Sequence, residues 1–283
     1  MAEKRTKILA SIKALPPLPA TAQQALSTFA DEFVDADQIT AIVGDDAAIG
    51  AKLIGLANSA YYGLPEPVDN IQDAVARVIG VETVRSLVLA MAMQSSLRNG
   101  GCPAFDAERF WRESLMTAQC CKKIAVRDNA LSDHEKRLSY LAGLCHNLGL
   151  MALACVAPAD TNAVLQEHRA RHEKFDQVLA DRIGLSHRDA TVQLARQWEL
   201  PEKLCDAFGC RSDPKMIANS RLGLILISAA SAVGNLEIDE HHRFDLDAAS
   251  RELGVAVDEL QKMALPGERQ LEQIETLASN MGR

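Results

Sequence analysis

Aromatic side chains are scarce in this chain, at 4% of 283 residues, so aliphatic residues and alanine must fill any core. No Cys-x-x-C pair occurs among the seven cysteines, and Cys120 and Cys121 are neighbours. An odd count without paired spacing excludes a disulfide framework and a zinc knuckle, and points to buried thiols in a reducing, cytoplasmic compartment. No Lys/Arg run stands out. With 30 basic against 38 acidic residues the net charge is −8, which repels phosphate backbones and argues against general nucleic-acid binding. No stretch reads as the roughly 18 apolar residues of a membrane span, and the first nineteen residues are charged and then broken by prolines, unlike a signal peptide. Neither a Gly-rich phosphate loop after a strand nor a Gly-x-Ser-x-Gly elbow is present.

What is there is helical periodicity almost from end to end, which predicts an all-α protein. Helices are expected over 3–14, 20–29, 38–43, 47–61, 71–79 and 82–94. Asp37 is read as the cap of the third, and Asp45 or Asp46 as the cap of the fourth. Asn99-Gly-Gly-Cys-Pro103 is the clearest break. After it come helices over 106–126, 138–156, 160–171, 174–183 and 187–198, then one from Pro201, with 221–233, 246–253, 257–263 and 268–281 closing the chain. The expected architecture is two helical lobes, residues 1–100 and 104–215. A helical extension over 216–283 either covers the second lobe or forms the seam of a homodimer.

One segment stands out chemically. Tyr140–Cys155 reads YLAGLCHNLGLMALAC, in which His146 and Asn147 are the strongly polar side chains besides the tyrosine hydroxyl. A helix apolar all round belongs inside a protein, so these two groups are interior or lie at the floor of a cleft. They are either ligands of a metal or anion, or a satisfied polar pair that pins the helix.

Tyr140-Leu-Ala-Gly-Leu-Cys-His-Asn-Leu-Gly is similar to the His-Asp signature of the HD superfamily of metal-dependent phosphohydrolases, with Asn147 in the aspartate's place. Leu15-Pro-Pro-Leu-Pro-Ala resembles the opening motif of the HDOD domain family. So does Ile42-Val-Gly-Asp-Asp-Ala-Ala-Ile-Gly-Ala-Lys-Leu-Ile-Gly-Leu-Ala-Asn-Ser-Ala-Tyr-Tyr-Gly, and so do Ile71-Gln-Asp-Ala-Val-Ala-Arg-Val-Ile-Gly and Phe110-Trp111. The match runs in order from about Leu15 to Cys210, and Asn58, Ser59, Tyr61 and Gly63 fall in its most specific piece. The resemblance implies an HD-like helical bundle in the second lobe. It also implies a bacterial signalling or regulatory module whose metal-binding set has been lost.

Position by position, the resemblance puts Glu113 where an active HD enzyme has its first ligand histidine, and His146-Asn147 at the His-Asp pair. His187 falls at a histidine that many family members retain, and Cys210 where a His-His pair is common. Paired metals that activate water need anionic oxygen ligands, and Asn147 offers a neutral one. No cofactor is therefore expected, and a divalent metal would have to rest on Glu113, His146 and His187, with Cys210 if it faces the same space.

The remaining candidates have simpler readings. Asn58 and Gly63 look like the end of a helix, Asn58 bonding its last carbonyls and Gly63 taking a left-handed turn. His168 and His172 sit among charges on a solvated face, and His241-His242 in a polar loop. The leading functional reading is a non-catalytic signal-transduction module that binds a signalling protein or small effector in the cleft between lobes. Its alternative is a metal-dependent phosphohydrolase with an altered ligand set, with nucleotides as one candidate substrate class. A nucleic-acid regulator built on the helix pair 38–61 is the third, and the net charge opposes it.

Overall fold

The computed structural model describes residues 2–31, 33–59, 62–97, 101–171, 175–210, 219–234 and 246–282, without the side chains of Ala2, Ala30 and 168–171. No strand occurs among the described residues, and the helices form two lobes. Tyr61, His172, His241, His242 and the side chain of His168 lie outside the described residues.

The first lobe is built from α2 (Ala20–Ser27), α3 (Ala36–Gly44), α4 (Ala47–Ala57), α5 (Ile71–Asp73) and α6 (Val81–Ser95), preceded in the chain by α1 (Ala2–Lys13). Helices α3, α4 and α5 start where a short side chain can accept the free N–H groups of a first turn. Asp35 and Gln38 form a capping box that opens α3, two residues before the expected Asp37. Asp46 opens α4 by accepting from the N–H groups of Ala48 and Ile49, both at 3.1 Å. Asn70 opens α5, which widens into a π-helix over Ala74–Ile79 and ends at Gly80, φ 91°. Around α6, whose residues Val84 to Met93 are all buried, α2, α3 and α4 pack. Arg85 in α6 is fully buried: its guanidinium lies 4.2 Å from the Phe29 ring centroid and donates to Thr28 O (3.0 Å) and to Glu82.

The second lobe contains α7 (Ala107–Arg127), α8 (Asp133–Cys145), α9 (Leu148–Val156), α10 (Pro158–Arg171), α11 (Phe175–Ile183), α12 (His187–Gln197) and α13 (Glu202–Gly209). The axis of the lobe is α7, capped by Asp106, with Trp111 fully buried on it. Its partner α8 approaches so closely that a Cβ on Gly143 would lie 2.5 Å from Ala118 Cα, so the crossing demands glycine. Although it comes first in the chain, α1 rests on α9, α11 and α12 of this lobe. Lys4 pairs with Asp160 at 2.9 Å, and Trp198 Nε1 donates to Pro16 O at 3.1 Å.

The chain closes with α14 (Arg221–Gly234), α15 (Leu246–Leu253), α16 (Val257–Ala264) and α17 (Glu268–Gly282). Helix α14 packs on α7, α8 and α13, while α17 lies along α7 and also reaches α4 of the first lobe. Gln273 Nε2 donates to the Tyr62 hydroxyl (2.7 Å), and Gln94 Nε2 donates to Met281 O. One apolar core runs through both lobes and these helices. Contrary to the reading of the sequence, one stretch among the described residues, Asp133–Val156, is long and apolar enough to cross a membrane. Of its most apolar window, 72% is buried inside the fold.

Candidate functional site

Sequence periodicity predicts a single helix over 138–156, but the helix breaks in the middle. Cys145 ends α8, Asn147 (φ −104°, ψ 9°) occupies the N-cap of α9, and the His146-Asn147 pair forms the turn between them. The reason lies on α12. The buried hydroxyl of Thr191 sits 3.0 Å from both His146 O and His187 O, sharing its one proton between them, and it accepts the Gly149 N–H at 2.9 Å. It thereby draws one carbonyl and one amide of the broken turn toward α12. A Cβ on Gly149 would lie 2.0 Å from His187 O, so glycine is what lets the starts of α9 and α12 meet.

This meeting point lines a pocket of ≈ 140 Å³. His146 and Asn147 come from the α8–α9 turn, and Asp176 from the first turn of α11. His187 and Arg188 come from the first turn of α12, and Cys210 from the end of α13. The far wall is α14, which contributes Leu226, Ile227 and Ser231. The pocket is therefore enclosed by the second lobe and the C-terminal extension, not by the cleft between the two lobes.

His146 Nδ1 donates to Gly143 O at 2.7 Å, which leaves Nε2 as an acceptor. Burial pushes the His146 pKa down to about 3. The Gly143 bond opposes that shift, and the nearby His187 and Arg188 add to it, so the ring is neutral at ordinary pH. His187 Nδ1 lies 2.5 Å from Asp176 Oδ1, in a contact bent away from hydrogen-bond geometry, and Arg188 Nε lies 3.4 Å from Asp176 Oδ2. The Phe175 ring packs against the His187 imidazole at 5.8 Å between centroids. Burial pushes the Cys210 thiol up to about 11, so it is protonated; Arg188 moves it the other way.

His146, Asn147, His187 and Cys210 thus share one pocket, and Glu113 does not line it. Glu113 sits on α7, where Arg109 Nε donates to its Oε1 at 3.0 Å. Asn58 closes α4 as expected, through its backbone N–H, which donates to Ile54 O at 3.0 Å. Its carboxamide clasps Val68 across the following turn, donating to Val68 O and accepting from Val68 N, both at 2.7 Å. Ser59 Oγ is buried without a hydrogen-bond partner, and Gly63 has φ 55°. Asp176, Arg188, Thr191 and Ser231 were not singled out in the sequence. Thr191 stands four residues after His187, one helical turn along the same face, which was the available signal. Asp176 and Ser231 lie on other helices and left none.

The residues present do not fit the paired metals of an HD phosphohydrolase. Asn147 is neutral, Glu113 lies elsewhere, Cys210 is a thiol, and Asp176, the pocket's one carboxylate among the described residues, contacts His187 and Arg188. Among the described residues, no group of three or more His, Cys, Asp or Glu side chains is placed to hold a metal ion.

Comparison with known proteins agrees with this architecture. An uncharacterised protein of Treponema pallidum (strain Nichols) is 26% identical over 214 residues, 72% of this chain, and the chain spans only 39% of that protein. A candidate signal transduction protein of Marinobacter aquaeolei VT8 superposes with a TM-score of 0.80 at 21% identity, covering 100% of this chain and 66% of its own. A candidate phosphohydrolase of Shewanella amazonensis SB2B gives 0.72 at 21% identity, covering 96% and 98%. An HDOD domain protein of unknown function from Geobacter sulfurreducens gives 0.71 at 21% identity, covering 93% of both. At these identities the likeness establishes the all-α, HD-like fold. The HDOD domain profile itself matches residues 15–214, from the Leu-Pro-Pro-Leu-Pro motif through both lobes and past Cys210, and the chain belongs to the HDOD domain family.

Proposed function

We propose that the chain is a non-catalytic signal-transduction module, and that the pocket beneath the His146-Asn147 turn is where it takes a small effector. The observation that carries this reading is the donor set. Where a hydrolase needs carboxylates to hold and bridge metal ions, the pocket presents a carboxamide, a protonated thiol and a carboxylate already facing His187 and Arg188. The similarity to a protein described as a signal transduction candidate supports the regulatory side of the reading. Because α14 walls the pocket and packs on α7, an occupant would press directly on the extension, where a signalling protein would sense it. The module works in the cytoplasm without nucleic acid, in keeping with the net charge of −8 and the absence of disulfides among the described cysteines.

A second reading, an HD-type phosphohydrolase with an altered ligand set, draws on the two imidazoles that share the pocket. One experiment separates the two. Protein purified without chelator or nickel is analysed for metal and assayed on a phosphomonoester and a cyclic dinucleotide with added Mn²⁺. The regulatory reading expects substoichiometric metal and no turnover above that of His146→Ala, with Asn147→Asp gaining metal affinity. Near-stoichiometric metal and turnover, both lost in His146→Ala, would sink it.

A further inference from the structure

We propose that the occupant of this pocket is an uncharged, flat heteroaromatic ring that brings N–H donors to the His146-Asn147 turn. The inference rests on the reading of the pocket as an effector site and adds the chemical class of the effector.

The polar atoms that remain available set the hydrogen-bonding pattern. With Nδ1 donating to Gly143 O, His146 Nε2 is an acceptor. Asp176 stands at the Nδ1 edge of His187, and the His187 ring lines the pocket beside His146. Asn147 occupies an N-cap but does not cap: its side chain makes no bond to the first turn of α9. An asparagine at that place ordinarily contributes about 1 kcal/mol by capping. Here the residue lines the pocket instead, as does Ser231. The His146 Nε2 acceptor and an amide oxygen call for a ligand that brings N–H groups, and the amide NH₂ for one acceptor beside them.

Charge and shape narrow the class. Arg188 and Asp176 face each other across 3.4 Å, so the formal charges of these two lining residues cancel among the described residues. An ionised ligand would enter a half-buried site with no uncommitted counter-charge among the described residues, at a desolvation cost that a neutral one avoids. Phe175, Phe208, Leu226 and Ile227 supply apolar walls. The ≈ 140 Å³ suits one or two fused rings, well below the ~300 Å³ at which drug-sized sites begin.

The test uses the full chain and five probes: adenine and 7-azaindole as neutral N–H heterocycles, and benzoate, benzamidine and inorganic phosphate as charged ones. Long-range ¹H–¹⁵N spectra follow the imidazole nitrogens of His146 and His187. A neutral probe is expected to shift both Nε2 signals saturably, while the charged probes leave them in place. Asn147→Ala, which removes no cap, should keep the melting temperature and weaken binding by about tenfold, the worth of one good hydrogen bond. The proposal is overturned if neither neutral probe binds, if Asn147→Ala binds as well as wild type, or if a charged probe binds more tightly. Preferred binding of a charged probe at the same imidazoles would remove this ligand class and leave the effector-site reading standing. Metal and turnover at His146 would remove that reading itself.

Discussion

Thr191→Val is the substitution that most directly tests how the pocket is held open. Valine keeps the shape of threonine and fills the same buried space, so packing changes little and the loss is confined to one hydroxyl. That hydroxyl accepts the Gly149 N–H at 2.9 Å and shares its proton between His146 O and His187 O, each at 3.0 Å. Removing it strands one buried amide and weakens the satisfaction of the two carbonyls. An unsatisfied buried amide costs about 1–3 kcal/mol, and a lost donor to carbonyls that keep some other contact costs about 1 kcal/mol. The sum is roughly 2–4 kcal/mol. With a urea m-value of about 3 kcal/mol/M, the unfolding midpoint should fall by about 1 M. Thr191→Ser, which retains the hydroxyl, should recover most of that shift. The His146 and His187 ring signals should broaden or move in the valine variant and not in the serine one. A valine midpoint within about 0.2 M of wild type would refute the argument that this hydroxyl ties α9 to α12.

Other outcomes follow from the same structure. The folded-state pKa of His146 lies at about 3, below the unfolded value near 6.5, so its contribution to stability is complete above about pH 6.5. That contribution is lost as pH falls toward 3, at no more than about 1.4 kcal/mol per pH unit, and His146→Gln should flatten this part of a stability–pH profile relative to wild type. Asp46→Ala removes the acceptor of two first-turn amides of α4 and should cost about 1 kcal/mol in urea unfolding, with Asp46→Asn or Asp46→Ser losing far less. Arg85→Ala removes a fully buried side chain stacked on Phe29 and bonded to Thr28 O, and should cost about 2–4 kcal/mol, readable as a drop in Tm. Arg85→Met should cost less, because it fills much of the volume without burying a charge.

Most helix positions were legible in the sequence because they depend on local chemistry: apolar spacing, short polar caps, and proline and glycine stops. The misreadings are local competitions that sequence alone does not rank. Asp35 and Asp37 are both good caps, and the choice fell to Asp35 because Gln38 stands three residues on and returns a bond to its amide. The Asn58 backbone N–H closes α4 as the sequence suggests, while its carboxamide is taken by Val68, which offers a donor and an acceptor together.

The sequence by itself determined an all-helical chain, its family, and the one helix with a polar pair in an apolar run. Those follow from periodicity, composition and ordered motifs. Only the tertiary structure decided what that pair does. The break at His146-Asn147 depends on a hydroxyl 45 residues away, and the approach of α12 depends on there being no side chain on Gly149. Asp176 and Arg188 enter the pocket from two further helices, and α14 closes it. Glu113, placed by motif position among candidate ligands, turned instead to Arg109, because a carboxylate and a guanidinium one helical turn apart pair without help from the rest of the fold. Convergence of residues distant in the chain is a property of packing, and packing is set by the sum of contacts across helices and not by any one segment.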